Sequence, residues 1–239
     1  MVVGASIARS PVIQNVMHSG LEQNQAIIFG KRTGHTRTLV SCGENLSDQK
    51  VTIVNLETLA PCLADEVGEI WVSGPSVAGG YWNKPLETTR TFSGRLSNST
   101  EGPFLRTGDL GFLHEGELYI TGRLKNLIIS NGKNHDAHDI ERSVEGSHPA
   151  IRPAGCAVFS INNSGAEDII VIAEIDYKLN IEAEEIIKAI RQAIATHHEL
   201  YVNVIKLTNP GGIPRTTSGK IRHFLCKTNY MAEALKESH

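Results

Sequence analysis

Pro214-Arg215-Thr216-Thr217-Ser218-Gly219-Lys220 ends on a lysine after a run of hydroxylated and flexible residues. Gly219 opens backbone angles closed to other residues, so the chain can turn sharply or pass close to a ligand. Thr216, Thr217 and Ser218 bring hydroxyls and backbone N–H groups suited to an anion. Arg215 and Arg222 add positive charge nearby, and lysine itself is a compact charge on a flexible stem. A lysine so placed can neutralise a phosphoryl group or a carboxylate while one is transferred to the other. A solvated surface lysine behind a flexible loop has the same composition.

The loop is not a phosphate-cradling P-loop. That pattern needs four residues between its glycines and a Ser or Thr after the lysine. Here six residues separate Gly212 from Gly219, and Ile221 follows Lys220. A glycine triplet of the dinucleotide-binding kind is also missing from the sequence. A triphosphate bound here would take its main cradle from elsewhere.

About 110 residues upstream, a separation typical of one domain from the next, stands the second dense polar cluster, Arg106-Thr107-Gly108-Asp109. Asp109 lies between Gly108 and Gly111 and is expected on a turn. There it can accept two hydrogen bonds, for instance from a ribose diol, or simply cap the turn. The sequence reading is that these two clusters serve one nucleotide.

The 239 residues are 40% hydrophobic and 21% charged, with a net charge of −3. That length permits two domains, and the balance argues against a nucleic-acid partner, which needs a concentrated basic face. No apolar run approaches the length of a membrane span, and Met1–Ser10 does not read as a signal peptide. Cys42, Cys62, Cys156 and Cys226 are scattered, so they are read as reduced thiols of a cytoplasmic protein.

Along the chain, residues 1–37 are weakly patterned. Val2-Val3 and Gln25–Phe29 are possible strands, and the opening looks like the middle of a larger fold. Val51–Val54 and Glu69–Val72 read as strands, followed by Gly80-Tyr81-Trp82, whose aromatics fill a core or line a groove. Leu86–Thr91 reads as a short helix, and Phe112–Gly122 as a hairpin turning at His114–Glu117. Arg123 and Lys125 share a face in a regular strand, so separate roles require a bend at Leu124.

A domain boundary is placed here, giving an incomplete β-rich domain over 1–122 and a small domain over 123–239. The second contains the strand Leu127–Ile129 and a turn over Asn131–Asn134. A helix over Ala137–Glu145 follows, with Ile140 and Val144 on its buried face. Then come a strand over Ala154–Ile161, a turn over Asn162–Gly165 and a strand over Ile169–Ile175. Glu182–His197 reads as an amphipathic helix with Ile186, Ile187, Ile190 and Ile194 on one stripe. A strand over Tyr201–Leu207 and a terminal helix ending near Leu235 complete an α+β fold. His135 and His138 suggest a metal pair, but no third ligand is evident, and they are read as surface or capping histidines with no metal assigned.

Five motifs in order carry a resemblance: Val67–Gly74, Gly80–Trp82, Arg106–Asp109, Gly122–Lys125 and Pro214–Lys220. They resemble the C-terminal motifs of the acyl-adenylate-forming ligase superfamily. Leu39–Gly43 and Gly132–His135 resemble its fatty acyl-AMP ligase branch. The resemblance implies the end of the large adenylation domain followed by the whole small, mobile domain. It implies that a fatty acid is activated with ATP and magnesium to an acyl-adenylate, then passed to the phosphopantetheine of an acyl carrier protein.

By the resemblance, Asp109 holds the ribose hydroxyls, Arg123 sits near ribose and phosphate, and Lys125 is the hinge. Thr107, Gly108, Ser218 and Gly219 shape the supporting loops. Lys220 is the catalytic lysine between carboxylate and phosphate. The family's glycine- and hydroxyl-rich phosphate loop and its magnesium-holding glutamate motif are absent from this sequence. Asn126 stands where aspartate is usual, and Asp136-Ala137 replaces Tyr-Pro.

Two kinds of function follow. One is a ligase portion that works with a separate N-terminal half, handing its acyl group to a carrier protein or, in the acyl-CoA ligase variant, to CoA. The other is a catalytically incomplete module of the same fold that binds a nucleotide or a carrier protein. The first predicts an exposed apolar surface within residues 1–120, where the larger part packs.

Overall fold

The computed structural model describes residues 3–4, 10–46, 48–163, 166–176 and 182–237. A strand start at Val2 and the turn expected at Ser164-Gly165 fall outside them. The chain divides into two compact units, Met1–Lys125 and Asn126–His239. A single 3-10 turn, Leu124–Asn126, runs across the division.

The first unit is built from β1 (Val3–Gly4), β2 (Ile13–Met17), α1 (His18–Leu21), β3 (Thr36–Val40), β4 (Glu44–Asn45), β5 (Lys50–Val54), β6 (Gly68–Ser73), α2 (Pro85–Phe92), β7 (Leu105–His114) and β8 (Glu117–Arg123). Six of these strands form a sheet in the order β1-β4-β8-β7-β6-β5, and β2 pairs with β3 apart from it. All the pairings are antiparallel. β6 is covered on both faces, which is why Ile70-Trp71-Val72 is apolar without alternation. Alternation sends Ile70 and Val72 to a cluster with Val51, Ile53 and Leu118. Trp71 goes to the opposite face with Val54, Leu96 and Phe104.

The β7–β8 hairpin closes through Glu115 and Gly116, both at positive φ, the two-residue turn whose twist matches the strands. The structure corrects the turn expected at Asp109 between Gly108 and Gly111: these residues lie inside β7. Leu105 and Arg106 are captured by the ladder opposite Val72 and Trp71, and the register slips between Glu69 and Trp71. Gly108 at φ +71° absorbs the irregularity, so Asp109 sits on a bulged strand, a setting that re-aims side chains.

The second unit contains β9 (Leu127–Ser130), β10 (Lys133–Asp136), α3 (Ala137–Ser147), β11 (Ile151–Asn163), β12 (Ala166–Ile175), α4 (Ala183–His198), β13 (Val204–Thr208) and α5 (His223–Glu237). β9 and β10 form a hairpin whose turn is Asn131-Gly132 alone, because Lys133 and Asn134 already pair with Ser130 and Ile129. β11, β12 and β13 form a sheet, antiparallel between the first two and parallel between the last two. On one face Val158, Val171 and Ala173 pack with Ile140 and Val144 of α3 and Ile186, Ile190 and Ile194 of α4. On the other, Ala157, Phe159 and Ile170 pack with Ile213 and with Cys226 of α5. The unit is α+β, and sequence periodicity missed one detail. Ile187 is half-buried, since a strict spacing of four suffices for the stripe. His135 is buried in β10 rather than on the surface, and the cap of α3 is Asp136, which accepts from the backbone N–H of His138 at 2.8 Å.

No helix among the described residues is long and apolar enough to cross a membrane. Ile140→Ala is expected to lower stability by about 2–5 kcal/mol, the usual range for emptying a filled core site. Ile187→Ala should cost less than half as much. Chemical denaturation followed by circular dichroism measures both.

Candidate functional site

In the first unit the site begins with a buried carboxylate. Glu69 is 2% exposed on β6. A carboxylate taken from water costs several kcal/mol unless donors replace the water. Its Oε2 accepts from Trp71 Nε1 at 2.9 Å and from Arg106 Nε and Nη2 at 3.0 and 2.8 Å. Its Oε1 accepts from the Gly108 backbone N–H at 3.1 Å. Thr107 completes the bulge: its hydroxyl donates to Ile70 O at 2.7 Å and accepts from Asp109 N at 3.1 Å. Glu69 and Thr107 therefore fix where Gly108 and Asp109 sit.

Asp109 faces Arg123 across the β7–β8 ladder. Arg123 Nε donates to Asp109 Oδ1 at 2.6 Å, with side chains 61% and 28% exposed. So open a pair contributes about 0–1 kcal/mol to stability, and its value is orientation. A carboxylate accepts at both oxygens, so Oδ2 can take a hydroxyl while Arg123 holds Oδ1.

A cleft of about 570 Å3 opens beside the bulge, walled by Thr107, Gly108, Tyr81, Phe92, Arg90 and Lys125. Tyr81 stands edge-on to Phe92 at 5.2 Å, while Trp82 is 89% exposed. The aromatics do not fill the core; Tyr81 lines the cleft. Arg106 is committed to Glu69, so Arg90 and Lys125 give the cleft its positive character, which suits an anionic ligand.

In the second unit a second buried carboxylate organises the lysine loop. Glu174 is 3% exposed on β12. It accepts from the backbone N–H of Gly211 and Ile213, both at 3.1 Å, and from Arg215 Nη2 at 3.3 Å. Arg215 also donates to Ala154 O at 2.8 Å and Gly219 O at 3.3 Å. Inside the loop, Thr216 N donates to Lys220 O at 2.8 Å, Gly219 N to Thr216 O at 2.9 Å and Lys220 N to Thr216 Oγ1 at 3.1 Å. The Ser218 hydroxyl lies 3.0 Å from that of Thr216. Thr216 is thus spent on the loop rather than offered to an anion, as its composition had suggested. The backbone of Lys220 is pinned and its side chain is exposed, which presents one cation on a rigid mount.

The structure adds Glu69 and Glu174 to the residues picked from sequence. Glu69 carried a signal, as the lone carboxylate of an otherwise apolar strand, where a charge needs partners; Glu174 shares β12 with Glu167 and Asp168 and did not stand out.

The thiols are not prepared for nucleophilic work, which needs the thiolate. Burial pushes Cys42 up, moves Cys62 and Cys226 to about 11, and holds Cys156 well above its ordinary value.

Residues 125–239 match the Disco-interacting protein 2-like AMP-domain family. The chain is 43% identical over 221 residues to the medium-chain-fatty-acid–[acyl-carrier-protein] ligase JamA of Moorena producens, covering 91% of this chain and 37% of that protein. It is 41% identical over 187 residues to the long-chain-fatty-acid–AMP ligase FadD23 of Mycobacterium tuberculosis, covering 75% of this chain and 31% of that one. A structure from work on fatty acyl-adenylate ligases of E. coli and L. pneumophila superposes with a TM-score of 0.80 at 32% identity, over 98% of this chain and 40% of that one. The chain thus spans about a third of the length of these curated relatives. It belongs to the AMP-binding superfamily of acyl-adenylate-forming enzymes.

Glu174→Ala should free the Gly211 and Ile213 amides, raising their hydrogen exchange about tenfold or more for the lost buried bonds. Exchange mass spectrometry of the loop peptide reads this. Cys62 and Cys226 should alkylate with iodoacetamide at neutral pH about a hundredfold slower than an unperturbed thiol, because so little thiolate exists.

Proposed function

We propose that this chain carries the catalytic lysine and ribose-holding elements of a fatty acyl-AMP ligase. That enzyme activates a fatty acid with ATP and passes the acyl group to the phosphopantetheine thiol of an acyl carrier protein. The observation that carries this reading is Lys220, an exposed cation on a loop whose base is locked by buried Glu174.

In adenylation a fatty acid carboxylate oxygen attacks the α-phosphorus of ATP, and the α–β bridging P–O bond breaks, releasing pyrophosphate. Two anions approach each other, so Lys220 Nζ between carboxylate and α-phosphate lowers the barrier. Asp109 accepts from the ribose hydroxyls at Oδ2, and Arg123 holds it in place while adding positive charge near the phosphate. An aspartate already paired to an arginine suits a diol better than a divalent cation. Magnesium, when bound, neutralises phosphate charge, and its ligands belong to the larger N-terminal portion of the ligase. Lys125 is the hinge of the small domain, and its rotation removes Lys220 once the adenylate has formed.

The acceptor thiol then attacks the acyl carbonyl and AMP leaves. The four unreactive thiols of this chain support an acceptor supplied from outside.

The first unit supports a partner portion. Ile13 and Val40, paired across β2 and β3, are both 54% exposed, and Ile27 and Phe29 are also exposed. Alternation puts these four on the face opposite buried Val16, an apolar surface suited to packing against the rest of the ligase. The departure at Asp136 has a local cause in capping α3.

The test is acyl-AMP formation from ATP, magnesium and a medium- or long-chain fatty acid. Product should require an added N-terminal ligase half and fall about 10²–10³-fold with Lys220→Ala, as for loss of one transition-state charge partner. An unchanged rate for Lys220→Ala would make this a non-catalytic module. Acyl transfer to CoA in preference to carrier protein would assign the other acceptor.

A further inference from the structure

Another cluster of ligating side chains lies within the second unit. His138 and Glu141 stand one turn apart on α3, and His223 is the first residue of α5. One donor atom from each lies within 4.8 Å of the other two. His223 Nε2 is 2.6 Å from Glu141 Oε1, and the His138 and His223 rings are 5.3 Å apart. The pairing weighed from sequence was His135 with His138. The fold instead sends His135 into the interior and brings His223 across 85 residues to His138.

We propose that His138, Glu141 and His223 form a site for a divalent transition metal of the zinc class. Two imidazoles and one carboxylate are a donor set suited to zinc, with a fourth position left for water. The supporting contacts are of the kind that tune such sites. Asp136 Oδ1 lies 3.2 Å from His138 Nδ1, which orients the ring and directs Nε2 to the metal. The backbone N–H of Val158 donates to Glu141 Oε1 at 2.9 Å, holding the carboxylate from β11. Ligands about 2.0–2.2 Å from zinc are roughly 3.3 Å from one another in a tetrahedron. The Glu141–His223 contact therefore opens by less than an ångström as the metal replaces the proton they share.

The consequence is mechanical. His223 follows Lys220 by three residues, and Arg222 N bonds back to Pro214 O at 2.9 Å. A metal joining α3 to the start of α5 staples the C-terminal end of the lysine loop. The site stands on its own geometry and does not depend on the catalytic role given to Lys220.

Zinc alone is the probe, in competition with a chromophoric chelator and the intact chain. One zinc per chain is expected, with a dissociation constant of about 10 µM or tighter. Cobalt should give the intense visible absorption of a four-coordinate site. His138 is half-exposed, so His138→Ala keeps the fold, checked by circular dichroism, and should weaken zinc binding about tenfold or more. His223→Ala should do the same, and zinc should raise the melting temperature of the wild type but of neither variant. No zinc bound at tens of micromolar, or retention undiminished in His138→Ala, would overturn the proposal and leave a plain Glu141–His223 hydrogen bond.

Discussion

A carboxylate removed from water must be surrounded by donors, and beside each proposed functional side chain this chain meets that demand by recruiting backbone. Glu69 in the first unit draws in Trp71, Arg106 and the Gly108 amide. Glu174 in the second draws in the Gly211 and Ile213 amides and Arg215. In each case the recruited segment continues directly into a proposed functional side chain: Asp109 follows Gly108, and Lys220 closes the loop that Arg215 begins. The exposed groups contribute little to stability themselves. Their positions are set from beneath, by interactions strong because they are buried and costly to leave half-satisfied.

This division of labour suits the proposed ligase role, in which the small domain moves. A cation asked to arrive and depart in that way cannot be fixed by contacts to the rest of the site. It has to carry its own scaffold, and the short hydrogen-bonded ring from Thr216 to Lys220, locked to β12 through Glu174, provides one. The polypeptide crosses between units at the 3-10 turn Leu124–Asn126, where Lys125 already lines the cleft of the first unit. That placement is compatible with the hinge role proposed for Lys125.

The elements were largely legible in sequence because their signals are local. The apolar run at β6, the Glu115-Gly116 turn and the Ile140/Val144 spacing each follow from strand or helix periodicity, and the superfamily followed from ordered motifs. Asp109 read as lying on a turn because Gly108 and Gly111 flank it, whereas pairing with β6 overrode that preference and left a bulge. Tyr81 and Trp82 could not be assigned to core or cleft by residue type. Asp109 and Lys220 were picked out as residues, but Glu69 and Glu174 were not, since the bulge and loop that they anchor lie 37 to 41 residues away. His223 was missed as a neighbour of His138 for the same reason.

The most direct test is a double-mutant comparison of Glu174→Ala and Lys220→Ala in the reconstituted ligase, read as fatty-acid-dependent exchange of pyrophosphate into ATP. If buried Glu174 acts by mounting Lys220, Glu174→Ala slows exchange on its own and adds nothing to the loss already caused by Lys220→Ala. Losses that multiply in the double variant, or a Glu174→Ala enzyme that exchanges at the wild-type rate, would contradict the account.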